Sequence, residues 1–525
     1  MWLLFFAMLF SLMLIVSNHV FYDWKTVASV EDIYVSDFHI LDIVWFLIYL
    51  FITYIGMKIV AFLFQAAEPV FFGASRQAKK SIFIVCFVFV LVLWIPYLMS
   101  YWPGGIYSDT VDSINMALGK KELDNHNPLL YTMIWRFMFG VTGAFSGKGD
   151  YGGLKLFTIV QTVMLALALS GFIYWSYKKG VHKLIIALEM LIVAICPLYP
   201  FYGISLWKDT VFSIVIFIFS VFLYHLFEKK QEDISNINLL IYGILTTLII
   251  FLRNNGIYIA VFSSAALCLL CLKNSRIIGK KIGILSLVIV AISCIIQGPV
   301  YDKFGYNIDT STESLGIPLQ QVAYIYTTDG KVNAKELEVL NNILPLENWK
   351  SLYNPIVVDY IKFDPSFNKA YLEENSGEFL KVYLSMIAKN PIKAVKGYFL
   401  QTMGFWDIFK SSPTAYICNT HFGNVEYFMS DYFDYYFDIS FRDYVEPKVY
   451  ISSAIFVWLM LGSIFICLSK RNYRGIICIL PTLGLWLSIM VAVPVAFSFR
   501  YVYSIFLCVP LYIMVSIKSF HKCLE

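Results

Sequence analysis

Charge is scarce in this chain. Asp, Glu, Lys and Arg make up 14% of its 525 residues, while 59% are apolar. A soluble domain carries about a quarter charged residues, so a water-soluble globular class is excluded. A disulfide framework is missing too. There are ten cysteines, but Cys86, Cys196, Cys268, Cys271, Cys294, Cys467, Cys478 and Cys508 fall in apolar stretches. Cys523 lies at the C-terminus, and Cys418 sits in a large loop with no partner there. The Cys268–Cys271 spacing is inside an apolar helix and reads as packing. No P-loop, dinucleotide fingerprint or zinc-protease helix stands out. The apolar N-terminal run lacks a basic n-region and a small-residue cleavage site. It reads as a retained first span rather than a removed signal. The net charge of +4 comes from loop lysines and arginines and gives no argument for nucleic acid.

What fills the chain is a series of apolar runs, each roughly the ~20 residues that cross a bilayer. They lie at about 1–20, 40–66, 80–101, 154–177, 182–200, 207–228, 236–252, 256–273, 281–298, 449–469, 475–493 and 500–519. The expected fold class is an all-α polytopic membrane protein of about twelve transmembrane helices with an extracytoplasmic mixed domain. Lys and Arg gather in alternate connections: Arg76/Lys79/Lys80, Lys178/Lys179/Lys183, Lys229/Lys230, Lys273/Arg276/Lys280/Lys281 and Lys470/Arg471/Arg474. The positive-inside rule makes these cytoplasmic, and with them both termini. The alternation works only if 128–142 does not cross. That stretch is short and contains Arg136, so it reads as an interfacial or re-entrant helix. Four parts follow: an N-terminal two-span hairpin at 1–79, a transmembrane core at 80–298 with its first outer loop at 102–153, an extracytoplasmic domain at 299–448, and a three-span segment at 449–525. Within the domain, 333–343 and 376–389 look helical. The aromatic stretch 425–449 reads as an interfacial belt or a binding lip.

The remaining connections hold isolated charges: Asp109, His126, Lys208, Asp209, Arg253 and Arg500. Polar groups at membrane depth are costly and mark function, so these six define a candidate site. After Pro103-Gly104-Gly105 stops one helix, apolar positions 111, 114, 117 and 118 give an amphipathic helix lying on the membrane. Asp109 at its start and Asp112 one turn on face the same way. Asp109 is either an N-cap or a carboxylate that accepts a proton. Desolvation would raise its pKa and nearby cations would lower it. His126 precedes Asn127 and Pro128, which suit the cap and first position of the next helix. It reads as a metal ligand joined by Asp109 or Asp112, a hydrogen-bonding group, or a structural histidine. Lys208 and Asp209 are a snorkelling pair or a phosphate-binding cation with its orienting acid. Arg253 is a snorkelling arginine or a phosphate clamp, because its planar fork matches phosphate oxygens. Gly256 permits a turn or close approach to a ligand. Arg500, next to Tyr501, is the one basic residue at its end of the last run. Gln320 and Gln321 read as sugar-binding amides or as a plain turn-to-helix element.

The pattern Asp109 … Gly119 … His126-Asn127-Pro128-Leu129 resembles the first periplasmic loop of the GT-C superfamily of lipid-linked glycosyltransferases. Protein O-mannosyltransferases and the aminoarabinose transferases of lipid A belong to it. Two departures stand out: a single Asp followed by Thr110 where many members have an acid pair, and Asn127 in place of a first proline. The strings PGGIYSDTVDSINMALG, HNPLLYT, LWKDTVFS, RNNGIY, ESLGIPLQQVAY, GFWD and FRYVY run from about residue 100 to 503. Together they are similar to a DUF6020-type family of Gram-positive multi-pass membrane proteins. The resemblance implies a GT-C-like core in the cell membrane with its site on the extracytoplasmic face. It also implies inverting transfer of a sugar from a polyprenyl-phosphate-linked donor to a cell-envelope glycan, polymer or lipid acceptor. Asp109 would be the general base. Asp112, His126, Lys208, Asp209, Arg253, Asn254, Gln320, Gln321, Arg500 and Tyr501 would bind substrate, with Lys208, Arg253 and Arg500 stabilising the leaving phosphate. Metal dependence stays open, a divalent cation between Asp109 and Asp209 being one option. Membrane lipids are the other expected partners. The rival expectation is a transporter or flippase for a lipid-linked glycan, with charges at the bilayer midplane and discontinuous helices.

Overall fold

A computed structural model describes residues 1–27, 29–77, 79–142, 152–228, 234–274, 276–306, 314–412, 451–493 and 495–518. Cys418, Cys523, Lys229, Lys230 and the aromatic stretch 425–449 lie outside the described residues, and so do the side chains of Cys271, Lys273 and Arg276. The structure is 77% helical. The chain opens with α1 (Trp2–His19), a short antiparallel pair β1 (Val20–Phe21) and β2 (Tyr34–Val35), and α2 (Leu41–Phe71). Then come α3 (Lys80–Ser100), α4 (Ser108–Ala117), α5 (Leu129–Thr142), α6 (Gly152–Lys178), α7 (Lys183–Ile195), α8 (Leu198–Ile204) and α9 (Lys208–Glu228). α10 (Asn236–Leu252), α11 (Gly256–Asn274) and α12 (Arg276–Ile295) follow, the last running on through a π-helical stretch, Ile296–Val300.

Among the described residues seven helices are long and apolar enough to cross a membrane: α1, α2, α3, α6, α9, the Lys280–Lys303 helix and Tyr473–Ala492. α7 and α8 would make an eighth as one span bent by 48°. The bend falls at Cys196-Pro197, where proline removes an amide donor. Other apolar runs are shorter as helices than the sequence suggests. α10 has 17 residues and Ala454–Ser469 has 16, reaching only about 25 Å at 1.5 Å per residue. The last run is split into Tyr503–Leu507 and Val509–Ile517, with Pro510 at the break.

Residues 316–402 form seven helices: α13 (Gly316–Thr327), α14 (Ala334–Ile343), α15 (Leu346–Leu352), α16 (Asp359–Lys362), α17 (Lys369–Glu374), α18 (Ser376–Lys389) and α19 (Pro391–Thr402). The stretches read as helical from sequence appear as α14 and α18. A capping box between Asn333 and Glu336 starts α14, satisfying two otherwise orphan amides. Trp349 is fully buried and donates to the carbonyls of Leu340 and Leu344. This region is tied to the apolar helices: Gln401 donates to the Val493 carbonyl at 2.9 Å, and Ala496 to that of Ile356 at 2.9 Å.

After it come α20 (Ala454–Ser469), α21 (Tyr473–Ala492), α22 (Tyr503–Leu507) and α23 (Val509–Ile517). The N-terminal hairpin docks on this C-terminal segment. Phe6 and Phe10 of α1 meet the edge of Trp458 in α20 at 5.6 and 4.8 Å. α2 buries only Met57, as expected of a helix whose solvent is lipid. α9 is the most enclosed long apolar helix, packed among α6, α10, α21 and α22. Its first residue is Lys208, so the centre of the bundle ends at the candidate site.

Candidate functional site

The site starts from a glycine turn. Gly104 has φ +146°, which an L side chain rarely adopts. A Cβ there would also run into Thr158 Oγ1 and a Leu206 methyl. Thr158 donates to the Pro103 carbonyl at 2.6 Å. Next, Gly105 pairs with the segment before α9: its amide donates to the Ile204 carbonyl at 2.9 Å, and Leu206 donates back to the Gly105 carbonyl at 2.9 Å. This two-bond bridge lays the starts of α4 and α9 side by side. Gln161, fully buried on α6, gathers the carbonyls of Tyr202, Gly203 and Ser205 at 2.7–3.2 Å. Thr110 and Tyr131 both donate to the Leu206 carbonyl. The approach to Lys208 is therefore held by hydrogen bonds from α4, α5 and α6.

On this frame stand two carboxylates and three cations. Asp109 Oδ2 lies 3.3 Å from Lys208 Nζ and 3.2 Å from Arg500 Nη1. Asp209 Oδ1 lies 3.2 Å from Arg253 Nη1, and its Oδ2 lies 3.9 Å from Arg500 Nε. Arg500 thus bridges the two carboxylates. Its Nη2 donates to Tyr501 Oη at 3.2 Å, and its guanidinium lies 5.2 Å from the Trp207 ring. Trp207 is stacked in turn on Tyr107 at 3.6 Å. Arg253 ends α10 and lies between the rings of Phe212 and Tyr501, 5.6 and 5.2 Å away. Asp209 is 2% exposed and the Asp109 side chain 26%. Three cations against two carboxylates leave one positive charge in a largely desolvated cluster. Lys208 first, and Arg500 after it, hold the Asp109 carboxyl well below the usual carboxylate range. Desolvation opposes them and loses.

Several expectations need correction. Asp109 is the second residue of α4, whose N-cap is Tyr107, so its carboxylate is not a helix cap. Its reach is across the fold to cations. Asn127 does not cap α5 either. Pro128 takes the capping position, its carbonyl accepting from Tyr131 and Thr132. Asn127 is fully buried, accepts from Lys208 Nζ through Oδ1 and donates to the Asp109 carbonyl at 3.3 Å. Asp112 turns away to Lys121 at 3.7 Å, which also pairs with Asp124 at 3.1 Å. The close approach at Gly256 is to the chain's own Ile249 carbonyl, where a Cβ would collide. Asn254 fixes the His126 loop by donating to the carbonyls of Asn125 and His126 at 3.1 and 3.3 Å. Gln320 and Gln321 are buried in α13 and spend their amides on the Asn354 and Ala394 carbonyls. Tyr383 donates to Gln321 Oε1 at 2.7 Å. These two residues brace the 316–402 helices. Among the described residues no three His, Cys, Asp or Glu side chains are placed to hold a metal. Arg500 occupies the space between Asp109 and Asp209, so this donor set suits an anion rather than a divalent cation.

Sequence reasoning overlooked Asn127 as a site residue, along with Thr110, Tyr131, Trp207 and Gln161. Gln161 offered a signal, as a lone amide in an otherwise apolar run. The others looked like ordinary loop and helix residues.

Residues 119–523 match DUF6020, a family of unknown function. The chain belongs to this family. The match covers more than three quarters of the chain and contains Lys208, Asp209, Arg253 and Arg500, while Asp109 stands just ahead of it. No curated protein and no solved structure matches the chain.

Proposed function

We propose that this DUF6020 protein is a GT-C-type membrane glycosyltransferase. It moves a sugar, with inversion, from a polyprenyl-phosphate donor to a cell-envelope glycan, polymer or lipid. In this reading the apolar helices make about twelve crossings of the ~30 Å hydrocarbon core, both termini are cytoplasmic, and the cluster faces outward. Asp109 Oδ1 takes the proton of the acceptor hydroxyl. The acceptor oxygen forms the new bond to the anomeric carbon as the bond to the phosphate oxygen breaks. Lys208, Arg253 and Arg500 carry the charge of the departing polyprenyl phosphate, a task suited to preorganised cations in a water-poor site.

One observation carries this reading: a carboxylate with an oxygen outside the ion pairs stands among three cations at the ends of apolar helices. Both cationic partners of Asp109 sit on Oδ2, leaving Oδ1 for a proton. The transporter reading draws support from the 48° break between α7 and α8 and the split last run. The test is release of polyprenyl phosphate from polyprenyl-phosphate sugars by the purified protein in proteoliposomes with envelope acceptors. Wild type should release it and Asp109→Asn should not, since losing a general base costs ~100–10,000-fold. Movement of an intact donor across the bilayer with no release would overturn the enzyme reading in favour of transport.

A further inference from the structure

In the resting cluster Asp109 Oδ1 lies outside the ion pairs, but the two flanking cations weaken the carboxylate as a base. Lys208 Nζ and Arg500 Nη1 both address Asp109 Oδ2, at 3.3 and 3.2 Å. The glycosyltransferase reading assigns these same cations to the donor's phosphate. The N–H groups now aimed at the carboxylate oxygen are among those a phosphate oxygen would use. We propose that Asp109 Oδ2 occupies the seat of a non-bridging phosphate oxygen, and that the arriving donor displaces the carboxylate and thereby releases it as a base. The inference rests on that reading.

Three features of the cluster support it. First, carboxylate and phosphate oxygens accept the same charge-assisted hydrogen bonds from ammonium and guanidinium groups. Second, the cations are held independently of Asp109. Lys208 donates to Asn127 Oδ1, while Arg500 is anchored by Asp209, Tyr501 Oη and the Trp207 ring. They keep their places when the carboxylate leaves. Third, Asp109 is the more exposed of the two carboxylates. Its side chain is 26% exposed, on an amphipathic helix of ten residues, whereas Asp209 is 2% exposed behind Arg253. With Asp109 withdrawn, three cations against one carboxylate leave two positive charges, which suits the phosphate monoester the reaction releases. Donor must then bind before the acceptor is deprotonated, and water reaching the empty site meets a carboxylate already engaged.

The experiment measures binding of polyprenyl monophosphate to the full-length protein in nanodiscs of zwitterionic lipid. Wild type, Asp109→Asn and Asp209→Asn are compared, with Asp109→Ser as a second variant should the Asn form fold poorly. Removing the competing charge should tighten binding by roughly ten- to a hundredfold, the worth of one charge-assisted hydrogen bond. Asp209→Asn should not tighten it, because Asp209 braces the cations from behind. Binding by Asp109→Asn equal to or weaker than wild type overturns the shared seat while leaving the donor reading standing. Equal tightening in both variants overturns it also, by showing a general charge effect. No binding by wild type or by either Asp109 variant overturns the donor reading itself, and the shared seat with it.

Discussion

Replacing Arg253 by Gln should unsettle the whole cluster through its most buried charge. Asp209 is 2% exposed, with Arg253 at 3.2 Å and Arg500 at 3.9 Å. Arg253→Gln removes the nearer cation and leaves a carboxylate where water does not reach. Breaking a buried pair by deleting one partner costs ~3–5 kcal/mol. With Arg500 remaining, the lower end, about 3 kcal/mol, is the expected loss. Asp209→Asn should cost less, roughly 1–2 kcal/mol, because Arg253 keeps its aromatic faces and is 13% exposed. The double variant removes both charges and leaves two amides able to bond each other. Its loss should fall short of the sum by about 1 kcal/mol or more, the coupling expected of residues in contact. The assay is the fraction of monodisperse protein after a fixed heating time in neutral detergent, plotted against temperature. Unfolding there is irreversible, so midpoints are compared under one protocol rather than converted to equilibrium values. Strictly additive shifts, or an unchanged midpoint in Arg253→Gln, would refute the buried ion pair.

Gly104→Ala should abolish monodisperse protein or lower its midpoint sharply, because φ and contact both forbid a Cβ there; a wild-type profile would mean the turn does not position α4. Cysteine placed at Leu384, which is 56% exposed on α18, should react with an impermeant maleimide in intact cells. Labelling only after permeabilisation would reverse the proposed topology. The depressed carboxyl of Asp109 sets a pH test. Its ion pairs contribute fully above the ordinary carboxylate value of ~4 and are lost only as pH falls through the lowered one. The difference in midpoint between wild type and Asp109→Asn should therefore hold from neutral pH down to about pH 4 and shrink below it. A difference that fades between pH 7 and 5 would show that the carboxyl is not depressed.

The helices were largely legible because apolar runs and helix boundaries report the same thing. The runs at 80–101 and 207–228 appear as Lys80–Ser100 and Lys208–Glu228. Breaks inside runs were less visible. Pro197 and Pro510 sit within continuous apolar text, and only their lost amide bonds show where the helix stops. The site was legible as a set of oddly placed charges, but the pairing among them was not. Local spacing offered Asp109 as a cap or a base and Asn127 as a cap. What redirects both is the Gly105–Ser205 bridge, a contact between segments about a hundred residues apart. No periodicity in either segment encodes it. Gln320 and Gln321 went the other way, since exposed amides and buried braces look alike in sequence.

Each cation of the cluster has an ordinary explanation when taken alone. A lysine or arginine at a helix end commonly snorkels, sending its head toward water or lipid headgroups. That explanation makes a geometric demand: the charged head should be the exposed part. Lys208, Arg253 and Arg500 show the opposite, with side chains 18%, 13% and 21% exposed. All three turn inward, to carboxylates from α4 and α9. Nor does stability favour such an arrangement, because desolvating five charges is expensive and a packed apolar substitute is often as stable. Three cations gathered where two carboxylates cannot neutralise them raise that expense further. A cluster that is costly to fold and carries a spare positive charge makes physical sense as a seat held ready for an anion. In the proposed reading that anion is the phosphate of the donor.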